Sequence, residues 1–160
     1  MRKLCLAAIA PAAILLLSCE MQGSIETKTE PATETAITVI DARAHLPAIP
    51  GRPGAAYFTV RAGQDDKLVA VSTPAARVEL HETRKEGGVA RMERIAEPLT
   101  VGRGRSVEFV PGGKHAMLYG IDASLKPGGE IPLTFTFRRA PPVTVPAQVR
   151  AAGDTGHMGH

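Results

Sequence analysis

The chain has no tryptophan, and aromatic residues make up only 4% of its 160 positions. Its two cysteines, Cys5 and Cys19, both lie near the start. The remainder therefore has no internal disulfide and no thiolate to act as nucleophile or metal ligand. That excludes cysteine-based catalysis and blue-copper electron transfer, which needs a Cys on the metal. No Gly-x-Ser-x-Gly elbow is present, which removes the common serine-hydrolase arrangement. Strong net charge is missing too: the formal balance is +3. No basic cluster suggests nucleic acid as a partner. Long apolar runs are also absent. Leu4 to Leu17 is shorter than the roughly 20 residues a membrane helix requires, and Pro11 interrupts it.

What that run does resemble is an export signal. Arg2 and Lys3 precede it, and Leu16-Leu17-Ser18-Cys19 closes it with small residues at the cut. A cysteine just after the cut resembles a bacterial lipobox. The expectation is a signal peptide over 1–18, lipidation at Cys19, and an extracytoplasmic, periplasmic location anchored through lipid to a bacterial membrane. Without Arg2 and Lys3 the net charge falls to +1. Residues 19–36 are polar and lack aromatics, as befits a flexible lipidated tether.

From Ile37 the text changes to short β-rich runs separated by Gly and Pro. Strands are expected at 37–40, 55–60, 67–71, 76–82, 89–94, 106–110, 115–121, 131–137 and 143–149. Turn signals such as Pro53-Gly54, Gly87-Gly88, Pro111-Gly112-Gly113 and Pro127-Gly128-Gly129 separate them. Nine strands with no amphipathic helix indicate an all-β antiparallel sandwich or Greek-key barrel, in a single domain over 37–149. Roughly 110 residues suffice for one core. Residues 150–160 read as a disordered tail.

Four side chains carry the chemistry. His81, Met92, His115 and Met117 fall within 37 residues. If Glu86 and Gly87 centre the hairpin turn, His81 stands directly opposite Met92, and the pairs Glu82–Arg91 and Glu79–Arg94 follow. His115 and Met117, two apart on one strand, also share a face. Two imidazoles and two thioethers form a soft, neutral donor set suited to Cu(I). Zinc more often draws on Cys or carboxylate, and calcium or magnesium need an oxygen cage. The uncompensated charge of the ion favours a shallow site that water and a partner can reach. His45 has no evident partner and reads as structural or solvated; Glu82 points away from His81.

His81, a ten-residue gap, Met92, then His115-Ala116-Met117 resembles the motif of the periplasmic copper chaperone family PCu(A)C, also called DUF461. Ala55-Ala-Tyr-Phe-Thr59, Val78-Glu-Leu-His-Glu82, Pro111-Gly-Gly-Lys-His-Ala-Met-Leu118 and Ile131-Pro-Leu-Thr-Phe-Thr-Phe137 agree with it. The spacing departs at one point: 22 residues separate Met92 from His115, one more than usual. The resemblance implies a cupredoxin-like β-barrel that binds Cu(I) through these four residues. It also implies delivery to an apo copper protein, an oxidase subunit or another copper-assembly protein, toward the copper centres of cytochrome c oxidase. Family members often carry His- and Met-rich C-terminal extensions. His157, Met158 and His160 resemble one, and would form an auxiliary site, with Cu(II) as a candidate ion; the alternative is a histidine-containing terminus with no metal role. Such a chaperone is not an enzyme. The competing functions are a copper storage or tolerance lipoprotein and a β-sandwich binding module without metal.

Overall fold

The computed structural model describes residues 36–154. Cys19, the signal and nearly all of the tether lie outside the described residues, as do His157, Met158 and His160. Ten strands follow one another: β1 (Ile37–His45), β2 (Gly54–Ala62), β3 (Asp66–Ser72), β4 (Arg77–Glu86), β5 (Val89–Arg94), β6 (Leu99–Val101), β7 (Ser106–Phe109), β8 (Lys114–Tyr119), β9 (Glu130–Phe137) and β10 (Val143–Arg150). Nine correspond to the expected runs. The tenth, β6, is three residues long and too short to show a period.

The strands join in the order β5-β4-β8-β7-β2-β1-β10-β9-β3-β6, with β8 also pairing β2. The sheet is mixed rather than purely antiparallel. β1 and β10, the first and last strands, run parallel, with Ala44 beside Val149. β7 and β8 lie one after the other along the same edge of β2, so they too run parallel, meeting only at Phe109 and Lys114. The chain jogs between them at Pro111-Gly112-Gly113. Gly112 takes a positive φ of 80° and Gly113 donates its N–H to the Val110 carbonyl. This is a type II turn, which calls for glycine at its third position. The jog lets β8 pair with β2 on one side and β4 on the other.

Alternation along each strand builds the core. In β2, Ala56, Phe58, Val60 and Ala62 point inward; in β9, Ile131, Leu133, Phe135 and Phe137 do. Phe58 stacks on Phe109 at 4.2 Å and meets Phe135 edge-on at 4.7 Å. β2 and β9 stand three places apart in the sheet, so this contact shows that the sheet curls over onto itself. Pro132 and Pro146 face each other across β9 and β10, beyond the reach of β3 and β1. Their missing N–H groups therefore break no ladder bond.

A β-bulge between Ile40 and Arg43 places Asp41 at φ 56°. It switches the inward parity of β1 from Ile37 and Val39 to Ala44. Arg43 and His45 are thereby turned outward. Gly54 lets β1 and β2 close up at this end, since a Cβ there would clash with the His45 carbonyl and the Ile121 side chain.

Asp66 is buried at the start of β3. It accepts backbone N–H bonds from Lys67 (2.7 Å), Arg139 (3.1 Å) and Ala140 (2.8 Å). Burial pushes its carboxyl up, but the amide donors outweigh burial and hold it below its ordinary value. Its contribution to stability is thus present above the unfolded carboxylate pKa and lost as pH falls through the lowered folded value. Thermal unfolding followed from about pH 5 downward is expected to show a decline that Asp66→Asn flattens. An unaltered acid profile in that variant contradicts this role.

Candidate metal centre

β8 sits between β4 and β2, and its odd-numbered side chains point away from the core. His81 on β4 stands directly opposite His115 on β8, and Glu79 directly opposite Met117. On the core side of the same strands, Leu80 and Val78 oppose Ala116 and Leu118. The same alternation that turns those four apolar residues toward the core sets both imidazoles and a thioether on the outer face.

The two rings lie nearly parallel, with centroids 6.1 Å apart and planes at 25°. Each has one nitrogen committed. His115 is only 7% exposed, and its Nδ1–H donates to the Gly113 carbonyl at 2.9 Å. Its Nε2 therefore keeps the lone pair. The Pro111–Gly113 turn aims that carbonyl, which also accepts the Thr83 N–H. His81 donates Nε2–H to Glu79 at 3.3 Å, and its Nδ1 is buried with no hydrogen-bond partner among the described residues. A buried ring nitrogen with a free lone pair is costly unless something occupies it. The neighbouring Glu79 is held below its ordinary pKa, chiefly by the His81 bond and then by Arg77.

Glu79 was not among the candidates from sequence, where it was paired with Arg94. The signal was Glu-x-His within a strand, which puts both side chains on one face. A carboxylate behind a ligand imidazole fixes its tautomer and orientation.

Met92 is placed differently from expectation. The β4–β5 register pairs Thr83 with Met92 and His81 with Arg94. It is shifted by two residues, because the turn centres on Gly87 and Gly88, at φ 58° and 82°, rather than on Glu86 and Gly87. A two-residue hairpin of type I′ needs positive φ at both central positions, and only the glycine pair supplies it. An even shift preserves the face, so Met92 stays on the side of His81 as a diagonal neighbour about 7–8 Å away. It is 55% exposed. The expected pairs Glu82–Arg91 and Glu79–Arg94 do not stand opposite each other, although the Arg94 charge still acts on Glu79. Glu82 instead binds Lys114 at 2.6 Å and Arg84 at 2.9 Å, on the other face from His81 as expected.

The outer face continues past Met117 through Ala55 to His45 and Arg150. An open groove of about 420 Å³ runs there, lined by Met117, Pro111, Tyr57, His45, Arg43 and, at its far end, Asp154. His45 meets Tyr57 edge-on at 5.3 Å. Burial, then Arg43 and Arg150, holds its pKa below the ordinary histidine value.

The described domain is thus a curled all-β sheet carrying a His/Met cluster on its outer face. The chain belongs to the LpqE-like family ("Putative lipoprotein LpqE-like"), whose model matches residues 37–149. It is 30% identical over 92 residues to "Putative lipoprotein Lxx21020" of Leifsonia xyli, covering 56% of this chain and 55% of that protein. It is 33% identical over 86 residues to protein RP573 of Rickettsia prowazekii, covering 52% and 48%. The chain thus spans about half the length of the curated relatives it matches. Among solved structures, the Cu(I) form of DR1885 from Deinococcus radiodurans aligns with TM-score 0.53 and 28% identity, over 79% of this chain and 85% of that one. The copper-bound PCuAC domain of PmoF2 aligns with TM-score 0.58 over 72% and 92%; at 24% identity it speaks for the fold alone. The cupredoxin-like fold and the family read from sequence are both met.

Proposed function

We propose that the chain is a metallochaperone that holds Cu(I) between His81, His115, Met117 and Met92 and releases it by ligand exchange. The observation that carries this reading is the pair of stacked imidazoles. Each is fixed by a bond to one nitrogen and has the other free, Nδ1 of His81 and Nε2 of His115. Among the described residues no group of three His, Cys, Asp or Glu side chains is placed to hold a metal. The Glu79 carboxylate on this face is engaged by His81 and Arg77; the remaining donors are the thioethers, and thioether sulfur favours Cu(I). The Cu(I) structure of DR1885 supports the choice of ion.

Copper is cargo here, not a resident cofactor. An ion on an outer face is open to incoming ligands, which displace His or Met one at a time, and no catalytic step is involved. The exposed Met92 is the first donor a recipient would replace. The resemblance points to an apo copper protein as that recipient, toward cytochrome c oxidase assembly. The family match supports lipid anchoring at Cys19 outside the cytoplasm. His157, Met158 and His160 follow within six residues of Asp154, which lines the groove leading to Met117. They are assigned an auxiliary copper site, for Cu(II) through the imidazoles.

A competition titration of the purified chain against a Cu(I) chelator tests the reading. It should show tight one-to-one binding at the main site; absence of binding overturns it. Glu79→Ala should weaken that binding roughly 10- to 100-fold, and shift the His81 tautomer in nitrogen-15 NMR spectra. Unchanged affinity and tautomer remove Glu79 from the site.

A further inference from the structure

β5 ends the sheet, and among the described residues nothing pairs with its outer side. All six of its residues are exposed. The hairpin register fixes which of its groups are free. Ile95 donates its N–H to the Leu80 carbonyl, so Glu93, Arg91 and Val89 turn their backbone groups toward β4 in alternation. Ala90, Met92 and Arg94 turn theirs outward, an open edge of the kind proteins normally shield.

The charges on this hairpin are arranged oddly for a monomer. Glu82 stands opposite Glu93, and Arg84 opposite Arg91. Like charges directly opposed across strands are destabilising. Glu82 is neutralised by Lys114 and Arg84. No ion pair is formed by Arg91 or Glu93 among the described residues.

Both features fit one occupant. We infer that β5 pairs antiparallel with β5 of a second copy of this chain about a two-fold axis at Met92, so that each copy's Met92 stands beside the copper site of the other. In this register Arg91 lies opposite Glu93 of the second copy, and Glu93 opposite Arg91 of the second copy, giving two new charge pairs. Ala90, Met92 and Arg94 supply the ladder bonds. Centring the pairing one residue earlier sets Arg91 against itself, and one residue later Glu93 against itself. The two exposed thioethers meet on the face of the imidazoles, while the new ion pairs form on the opposite face. The copper role rests on the function proposed above; the strand pairing does not. Two Met92 side chains side by side offer a bridge on which Cu(I) exchanges one ligand at a time between copies.

Sedimentation equilibrium of the purified full chain tests this. Reversible dimerisation is expected without metal. Arg91→Glu alone or Glu93→Arg alone should each weaken it about tenfold, since two attractive pairs become repulsive. The double variant should restore it, because the swapped charges remain complementary. One equivalent of Cu(I) should tighten the dimer, and Met92→Leu should abolish that tightening. A monomer at all concentrations, association indifferent to the charge changes, or no effect of Cu(I) overturns the inference. Chelator competition on Arg91→Glu, at concentrations where it is monomeric, separates the causes. If that variant binds Cu(I) and the wild type never associates, only the pairing fails. If it binds none, the copper reading itself fails.

Discussion

Met92→Leu combined with Met117→Leu is expected to lower Cu(I) affinity more than about a thousandfold while the domain stays folded. The fold survives because Leu and Met have similar volume, and such swaps usually cost less than about 1.5 kcal/mol. Neither thioether is among the buried core residues, and Met92 is largely in solvent. Affinity falls because Leu offers no lone pair. Loss of a partner behind a ligand already costs about 10- to 100-fold, and removing two ligands exceeds that. The remaining imidazoles would still hold a borderline ion, so Cu(I) should suffer more than Zn(II). Chelator competition gives the Cu(I) affinity and circular dichroism the fold. Equal losses for both metals would point to a damaged domain rather than missing sulfur.

Phe58→Ala is expected to cost about 3–5 kcal/mol of stability. Phe58 is 1% exposed and touches both Phe109 and Phe135. It thus joins parts of the sheet that are remote in strand order, and little else of that size is available in a chain with so few aromatics. Truncation leaves a cavity where the curled sheet closes, and rigid strands on several sides limit collapse. Unfolding should move down by roughly 12 °C or more. Because β2 also pairs with β8, the His81–His115 stacking should loosen with it. Thermal denaturation measures the first effect and histidine NMR the second. A loss under about 1 kcal/mol would mean that the core does not depend on this junction.

The alternation of Ala56, Phe58, Val60 and Ala62 along β2 made that strand readable, as did Ile131, Leu133, Phe135 and Phe137 along β9. So did the face shared by His115 and Met117. Pairing was less legible. The parallel contact of β1 with β10 joins the two ends of the domain, which no local pattern reveals. The jog at Pro111–Gly113 reads as an ordinary turn, yet it lets β8 continue along the edge of β2 while pairing with β4, which sets His115 against His81. The hairpin register depended on which two residues take positive φ. Gly87-Gly88 was the stronger choice on backbone grounds, but apparent charge pairs favoured Glu86-Gly87. Met92 keeps the same face under either register because the two differ by an even number of residues. His45 reaches the outer face through the bulge at Asp41, a conformation that Asp tolerates but does not announce.

X-ray absorption at the copper edge, on protein loaded with one equivalent of Cu(I), is the most direct test. The chain should carry Cys5→Ser and Cys19→Ser, so that any sulfur signal comes from methionine. The expected spectrum has both imidazole nitrogen and thioether sulfur around one monovalent ion. The sulfur contribution should vanish in the Met92→Leu, Met117→Leu variant. A first shell of nitrogen and oxygen alone in the chain that keeps both methionines would contradict the assignment of this face as a Cu(I) site.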